Sequence, residues 1–165
     1  MNVFEQTQTH ATREGKYLIF QLADERYGVG VLDVREIIGL MEITELPNMP
    51  SFFEGVINLR DKVIPVLDMR AKFGMARTEH TERTCIIVVE ISGLRGSTLM
   101  GVIVDGVSEV ANIRAEEVED APVFGKGVDT SFILGMAKLQ AGVTILLDID
   151  RILHTREMVQ LSANF

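Results

Sequence analysis

Cysteine occurs only once in this chain of 165 residues, at Cys85, so no intramolecular disulfide can brace the fold and stability must come from a packed core. A reducing compartment suits such a chain, with Cys85 read as a small buried hydrophobe inside the run Thr84-Cys85-Ile86-Ile87-Val88-Val89. Tryptophan is absent, tyrosine occurs twice, and most of the eight phenylalanines fall in apolar or turn contexts, which leaves no stacking platform for single-stranded nucleic acid. Positive charge is also short: 16 Lys plus Arg against 24 Asp plus Glu give a net charge of −8. Without a basic cluster, that balance opposes phosphate backbones and anionic lipid surfaces. No apolar run reaches the roughly 18 residues a spanning helix requires, and residues 1–16 lack the apolar centre of a secretion signal. The expectation is a cytosolic protein with no nucleic-acid partner and no direct membrane insertion.

The residues that would carry chemistry are equally sparse. His10, His80 and His154 lie far apart, none with a second His or Cys at the local spacing of a zinc site, so no metal and no cofactor is expected. Gly28-Val29-Gly30-Val31-Leu32-Asp33 begins like a dinucleotide fingerprint, but Asp33 stands where a third glycine belongs. A charged side chain there would oppose both helix packing and a pyrophosphate, so the glycines are read as permitting a bend or close backbone approach in a strand. Neither a Gly-x-Ser-x-Gly elbow nor a phosphate loop occurs. Asp68 and Asp148 could share acid and base roles, but helix capping explains both more simply. No nucleophile, base and orienting partner come together, so the chain is not expected to be an enzyme.

What is present is a series of short β-branched runs broken by Gly, Asp or Pro. They span 16–22, 27–32, 34–40, 62–67, 84–91, 99–104, 107–113 and 143–147, a spacing that predicts a β-barrel or sandwich. Pro65 removes a ladder donor, so its strand should lie at an edge or carry a bulge. Asp68 is placed to cap a short helix that Gly74 ends, and Asp148 to cap one reaching His154 with a last turn through Leu161. The acidic stretch from Glu116 to Asp120 reads as a solvated loop.

The chain also repeats itself. The ten residues from Gly28 to Ile37 lie over those from Gly101 to Val110, and the stretch from Gly55 to Phe73 lies over that from Gly135 to Leu153. Two matches in the same order predict two equivalent β modules, each too small for comfortable stability alone, with apolar surface buried between them and a groove at their joint.

Tyr27-Gly28-Val29, Val34-Arg35-Glu36-Ile37, Leu46-Pro47-Asn48-Met49-Pro50, Gly55-Val56-Ile57-Asn58-Leu59-Arg60 and Val63-Ile64-Pro65-Val66-Leu67-Asp68-Met69-Arg70 follow one another in an order that resembles the CheW family. Gly101 to Val110, Ala121-Pro122, Ile133-Leu134-Gly135 and Ile145-Leu146-Leu147-Asp148 continue the likeness, which runs from about Lys16 to Leu153. Asp61 departs from it, standing where the family usually has Gly after Asn-Leu-Arg; its carboxylate could neutralise Arg60 or hold it in place. The resemblance implies an all-β fold with short helices, made of two SH3-like five-stranded β-barrels packed together. Residues 16–154 would be one domain of two intertwined barrel modules, with 1–15 a flexible tail and 155–165 a helical turn and tail.

The family's role, in turn, implies a non-enzymatic adaptor in bacterial chemotaxis. Its partners would be the regulatory domain of the CheA histidine kinase, met by barrel-to-barrel pairing of apolar surfaces, and the helical cytoplasmic tip of methyl-accepting chemoreceptors, docked in a groove. Recruitment to membrane-associated receptor arrays would follow. The partner-binding residues implied are Arg60 first, then Glu36, with Val34, Gly55 and Asn58. Arg60 falls opposite Gln140 in the repeat, so its charge belongs to one half alone, and Arg is enriched at interface hot spots.

Overall fold

The run Tyr17-Leu18-Ile19-Phe20 is buried on every side chain, which a strand achieves only when both of its faces are covered. In the computed structural model, which describes residues 13–93, 96–122 and 130–153, Tyr17 and Ile19 point into one small core with Ile113, Ala137 and Leu146. Leu18, Phe20 and Leu22 point the other way, into a larger core shared with Ile87, Val102 and Leu67. A third core, of Ile57, Ile64, Val66, Ile86, Val88 and Ile103, fills the second barrel. The molecule is therefore two barrels with a common wall, and the apolar burial expected between modules is its largest core.

Among the described residues, eleven strands build the two sheets. They are β1 (Gly15–Leu22), β2 (Glu25–Gly30), β3 (Val34–Gly39), β4 (Phe53–Leu59), β5 (Lys62–Asp68), β6 (Cys85–Gly93), β7 (Gly96–Val104), β8 (Gly106–Ile113), β9 (Val118–Glu119), β10 (Ile133–Leu139) and β11 (Gly142–Leu147). One sheet has the order β8-β1-β2-β11-β10-β9 and the other β3-β6-β7-β5-β4. Each sheet thus takes a hairpin from one half of the chain and three longer strands from the other, stitched by a parallel pairing: β2 with β11, and β5 with β7. The short β9 brings the first sheet to six strands rather than five; its counterpart in the second is the lone bridge Thr44–Val56.

The repeat is matched irregularity for irregularity. Register shifts fall between Ile19 and Phe20 against β8 and between Val34 and Glu36 against β6, at equivalent places. Another pair falls between Phe53 and Gly55 and between Ile133 and Gly135. The shared glycines have one cause: a Cβ on Gly28 would sit 3.1 Å from Leu146 Cδ2, and one on Gly101 2.9 Å from Ile86 Cγ2.

Several expectations change. The strand expected over 27–32 ends at Gly30, and Val31–Asp33 form a 3-10 turn because the chain there leaves one sheet for the other. β4 and β10 were not among the expected strands, since Gly, Asn, Met, Ala and Lys within them favour strands weakly. β5 is interior, not an edge, and the bulge lies on its neighbour β4; the pairs with β7 begin only at Val66, beyond Pro65. The acidic stretch is a 3-10 turn followed by β9, because Val118 packs against the core at β10. Arg13, inside the expected tail, is already held by an ion pair of 2.8 Å to Asp120, while residues 1–12 and the final turn from His154 lie outside the described residues. Helices α1 (Met69–Lys72) and α2 (Ile149–Leu153) follow Asp68 and Asp148 as expected, with the Asp68 carboxylate accepting from the Arg70 amide at 2.9 Å.

At Asp105, where the chain crosses back between sheets, a polar clasp closes the joint. The carboxylate accepts from Arg70 Nη2 at 2.6 Å and Nε at 2.8 Å and from the Ala23 amide at 2.7 Å, while the Asp105 amide donates to the Gln21 carbonyl at 3.0 Å. Burial pushes this carboxyl up, but the Arg70 and Ala23 hydrogen bonds and the Arg70 charge outweigh it and hold it below the ordinary range. Its contribution is therefore full above the unfolded value of about 3.9 and is lost as pH falls through the lower folded value. Asp105→Asn is expected to lower stability by about 2 kcal/mol near neutrality. Urea unfolding from about pH 7 to about pH 3 should show the gap between parent and variant closing at the acid end; a gap constant across that range would contradict the clasp.

Candidate functional site

Leu59 pairs with Lys62, so Arg60 and Asp61 are the whole turn between β4 and β5. Both have positive φ, 50° and 66°, as a two-residue type I′ hairpin requires. That backbone throws the Arg60 side chain across the barrel end to Glu36 on β3, where Nη2 donates to Oε1; Asp61 is not its partner. The barrel's closure makes this reach possible, since β3 and β4 are opposite ends of the sheet order and the Thr44–Val56 hydrogen bonds of 2.8 and 2.9 Å draw them together. Glu36 is the shielded member, its side chain 29% exposed, and Arg60 the presented one at 72%. A pair this open adds little to stability; it orients the guanidinium.

Beside it, Arg35 pairs with Glu90, and these four residues with Lys62 and Leu99 surround a shallow hollow of about 540 Å³. Asn58 is exposed on β4 two residues before Arg60, opposite Val63. Val34 lies on β3 two residues before Glu36 but packs partly against the shared core. Gly55 is buried, away from this surface, at φ +143° and where an added Cβ would run into the Thr44 carbonyl. So the structure brings Arg60, Glu36 and Asn58 to one end of a barrel, with Val34 behind them and Gly55 beneath. Ile37 and Val63 stay exposed on the same barrel, as do Val110 and Val143 at matching positions of the other.

The groove expected at the joint is present, and it is its lining that escaped the sequence reading. At the crossover of residues 31–33, the joint opens into a cavity of about 600 Å³ lined in part by Tyr17, Val31, Leu134 and Leu147, with Leu32 99% exposed at its mouth. Asp33, Asp148 and Asp150 face it, and burial together with those two neighbours holds the Asp33 carboxyl above the usual range. The signal was present in the repeat, where Leu32 falls opposite Asp105 and Asp150 opposite Arg70, but only the coordinates reveal that Asp105 and Arg70 are a pair. Among the described residues, no group of His, Cys, Asp and Glu is arranged to hold a metal ion, and no helix is long and apolar enough to cross a membrane.

Two interleaved SH3-like barrels that share a common wall define the fold class of this protein. The family described as the CheW-like domain matches residues 16–157, and the chain belongs to that family of chemotaxis scaffold proteins. It is 37% identical over 143 residues to the chemotaxis protein CheW of Klebsiella aerogenes, covering 87% of this chain and 84% of the relative. Against the CheW of Rhizobium meliloti the identity is 32%, covering 90% and 94%. Protein FrzA of Myxococcus xanthus is 29% identical over 88% of this chain and 89% of its own. The crystal structure of the scaffolding protein TtCheW from Thermoanaerobacter tengcongensis is similar with a TM-score of 0.75 and 35% identity, covering 87% of this chain and 95% of that one.

Asp61 holds a left-handed backbone at some cost. Asp61→Gly should raise stability by about 1 kcal/mol and leave the Arg60–Glu36 pair intact; a lower urea midpoint would mean that the carboxylate supports the turn in another way. Gly55→Ala, by contrast, should destabilise by about 2 kcal/mol or more. Circular dichroism melts of the two variants check both signs.

Proposed function

We propose that this protein is the coupling adaptor between methyl-accepting chemoreceptors and the CheA histidine kinase, recruited to membrane-associated receptor arrays. The observation that carries the reading is the Arg60–Glu36 end of the barrel: an exposed guanidinium, aimed by a shielded carboxylate, on a turn whose counterpart carries Gln140. A charge held this way and present in one half only suits recognition rather than folding. Arg60, Glu36 and Asn58 are the contact residues of this reading, with Val34 bracing the strand and Gly55 fixing the bulge beneath. Exposed Ile37 and Val63, with Val110 and Val143 at matching positions, suit pairing with a kinase regulatory domain of related barrel form. The helical hairpin tip of the receptor takes the groove at the joint of the two barrels.

Two weak interfaces on one small body raise the effective concentration of kinase beside receptor without any chemistry. A change at the receptor tip reaches the kinase only if its two states differ in interaction energy with the adaptor, a coupling of about 1 to 3 kcal/mol. The adaptor itself needs no change of shape. A second reading, the same role in a sister pathway with a different kinase and receptor set, carries the same family signature and differs only in partners.

Calorimetric titration into the isolated regulatory domain of the organism's CheA should give saturable one-to-one binding. Arg60→Ala should weaken it about tenfold or more, with the thermal midpoint nearly unchanged because the side chain is exposed. Absence of binding by folded protein to every kinase paralogue of the organism would overturn the adaptor reading.

A further inference from the structure

The two crossovers between barrels are equivalent by the repeat but are finished differently, and the difference reads as a missing partner. At the closed crossover, a carboxylate on the crossing chain (Asp105) takes the Ala23 amide at 2.7 Å and meets a cation from helix α1 (Arg70) at 2.6 Å. At the open crossover, the position of Asp105 is Leu32, the position of Arg70 is Asp150, and the amide equivalent to Ala23 is Ser92, which donates to Asp150 Oδ1 at 3.2 Å. The carboxylate has thus moved to the helix, and the cation has not been replaced. Among the described residues, Asp33 has no hydrogen bond or cation, Asp148 has only Arg151, through its amide at 3.3 Å and Nε at 3.5 Å, and Lys16 on the rim makes no ion pair with Asp33, Asp148 or Asp150. What remains is a cavity of about 600 Å³ whose apolar wall includes Val31, Leu134 and Leu147, with Leu32 standing in solvent.

We infer that this open crossover seats an amphipathic helix of the partner, which lays an apolar side chain against Leu32 and Leu134 and points an Arg or Lys from the adjacent turn at Asp33 and Asp150. The partner's cation supplies in trans what Arg70 supplies in cis at the closed crossover. Apolar and basic positions three or four residues apart share one helix face, so a single helix can meet both requirements. The inference rests on the receptor hairpin being the occupant of the groove, and adds to that reading the charge the hairpin must carry.

The test uses the full chain and a soluble cytoplasmic hairpin fragment of a chemoreceptor from the same organism, with the CheA regulatory domain as control titrant. Leu32→Ser should weaken hairpin binding about tenfold without altering the melting temperature, since the side chain is already exposed. Asp33→Asn with Asp150→Asn, which keeps the Ser92 hydrogen bond, should weaken it comparably and flatten its dependence on salt between about 50 and about 500 mM. Kinase-domain binding should be unchanged in both. Hairpin binding that responds to Leu32→Ser but neither to the double variant nor to salt overturns the cation while the receptor reading stands. Binding indifferent to all three substitutions places the hairpin elsewhere and overturns the inference alone. A folded protein that binds no receptor hairpin removes the reading and the inference together.

Discussion

Everything in this fold depends on two short parallel seams, β2 against β11 and β5 against β7. Neither half of the chain can close a barrel by itself, because each contributes a hairpin to one barrel and three further strands to the other. The seams are where the halves become interdependent, and they are also where the glycines common to both halves, Gly28 and Gly101, allow neighbouring side chains to fill the barrel interiors. The alternation of Leu18 and Phe20 with Tyr17 and Ile19 then places one strand in two cores at once. The common wall follows from that, and an aromatic series through Phe20, Tyr27, Phe73 and Phe132, with centroids 5.4 to 5.8 Å apart, runs along it.

Because the halves are near copies, their differences carry the information about function. Arg60 faces Gln140, and Arg70 with Asp105 faces Asp150 with Leu32. In the first case one barrel gains a presented cation; in the second one joint is sealed and the other left open. A symmetric scaffold would offer the same surface twice. This one offers different surfaces at fixed separation, which suits the proposed role of holding two unlike partners.

Much of this was legible in the sequence, and the reasons are specific. Apolar runs such as those of β1 and β6 announced strands, though not that both of their faces are covered, and Asp68 and Asp148 announced their helices by capping chemistry. The repeat identified the modules because gaps, glycines and acidic caps recur together. It did not give the exchange of hairpins, since alignment of two halves states that they are alike and not which strand pairs with which. β4 and β10 stayed hidden because a bulge glycine and polar outward residues break the alternation. Arg60 was legible as a candidate, but Glu36 as its orienting partner depends on the closure of a barrel between strands that the sequence places 24 residues apart. Gly55 was legible as a candidate, but the close approach of the Thr44 carbonyl that demands a glycine there was not.

The exchange of hairpins also governs the order in which the protein can come into being. β1 is synthesised before the other described strands, yet its neighbours are β2 and β8, and the sheet it anchors is completed by β10 and β11. A nascent chain emerging from the ribosome therefore carries Tyr17, Leu18, Ile19 and Phe20 uncovered until nearly the last strand has left the tunnel. Such distant pairings are slow to form and leave sticky segments waiting. The first of the described strands to be made is among the last to be fully sheltered, which makes it the segment on which a chaperone has most reason to act.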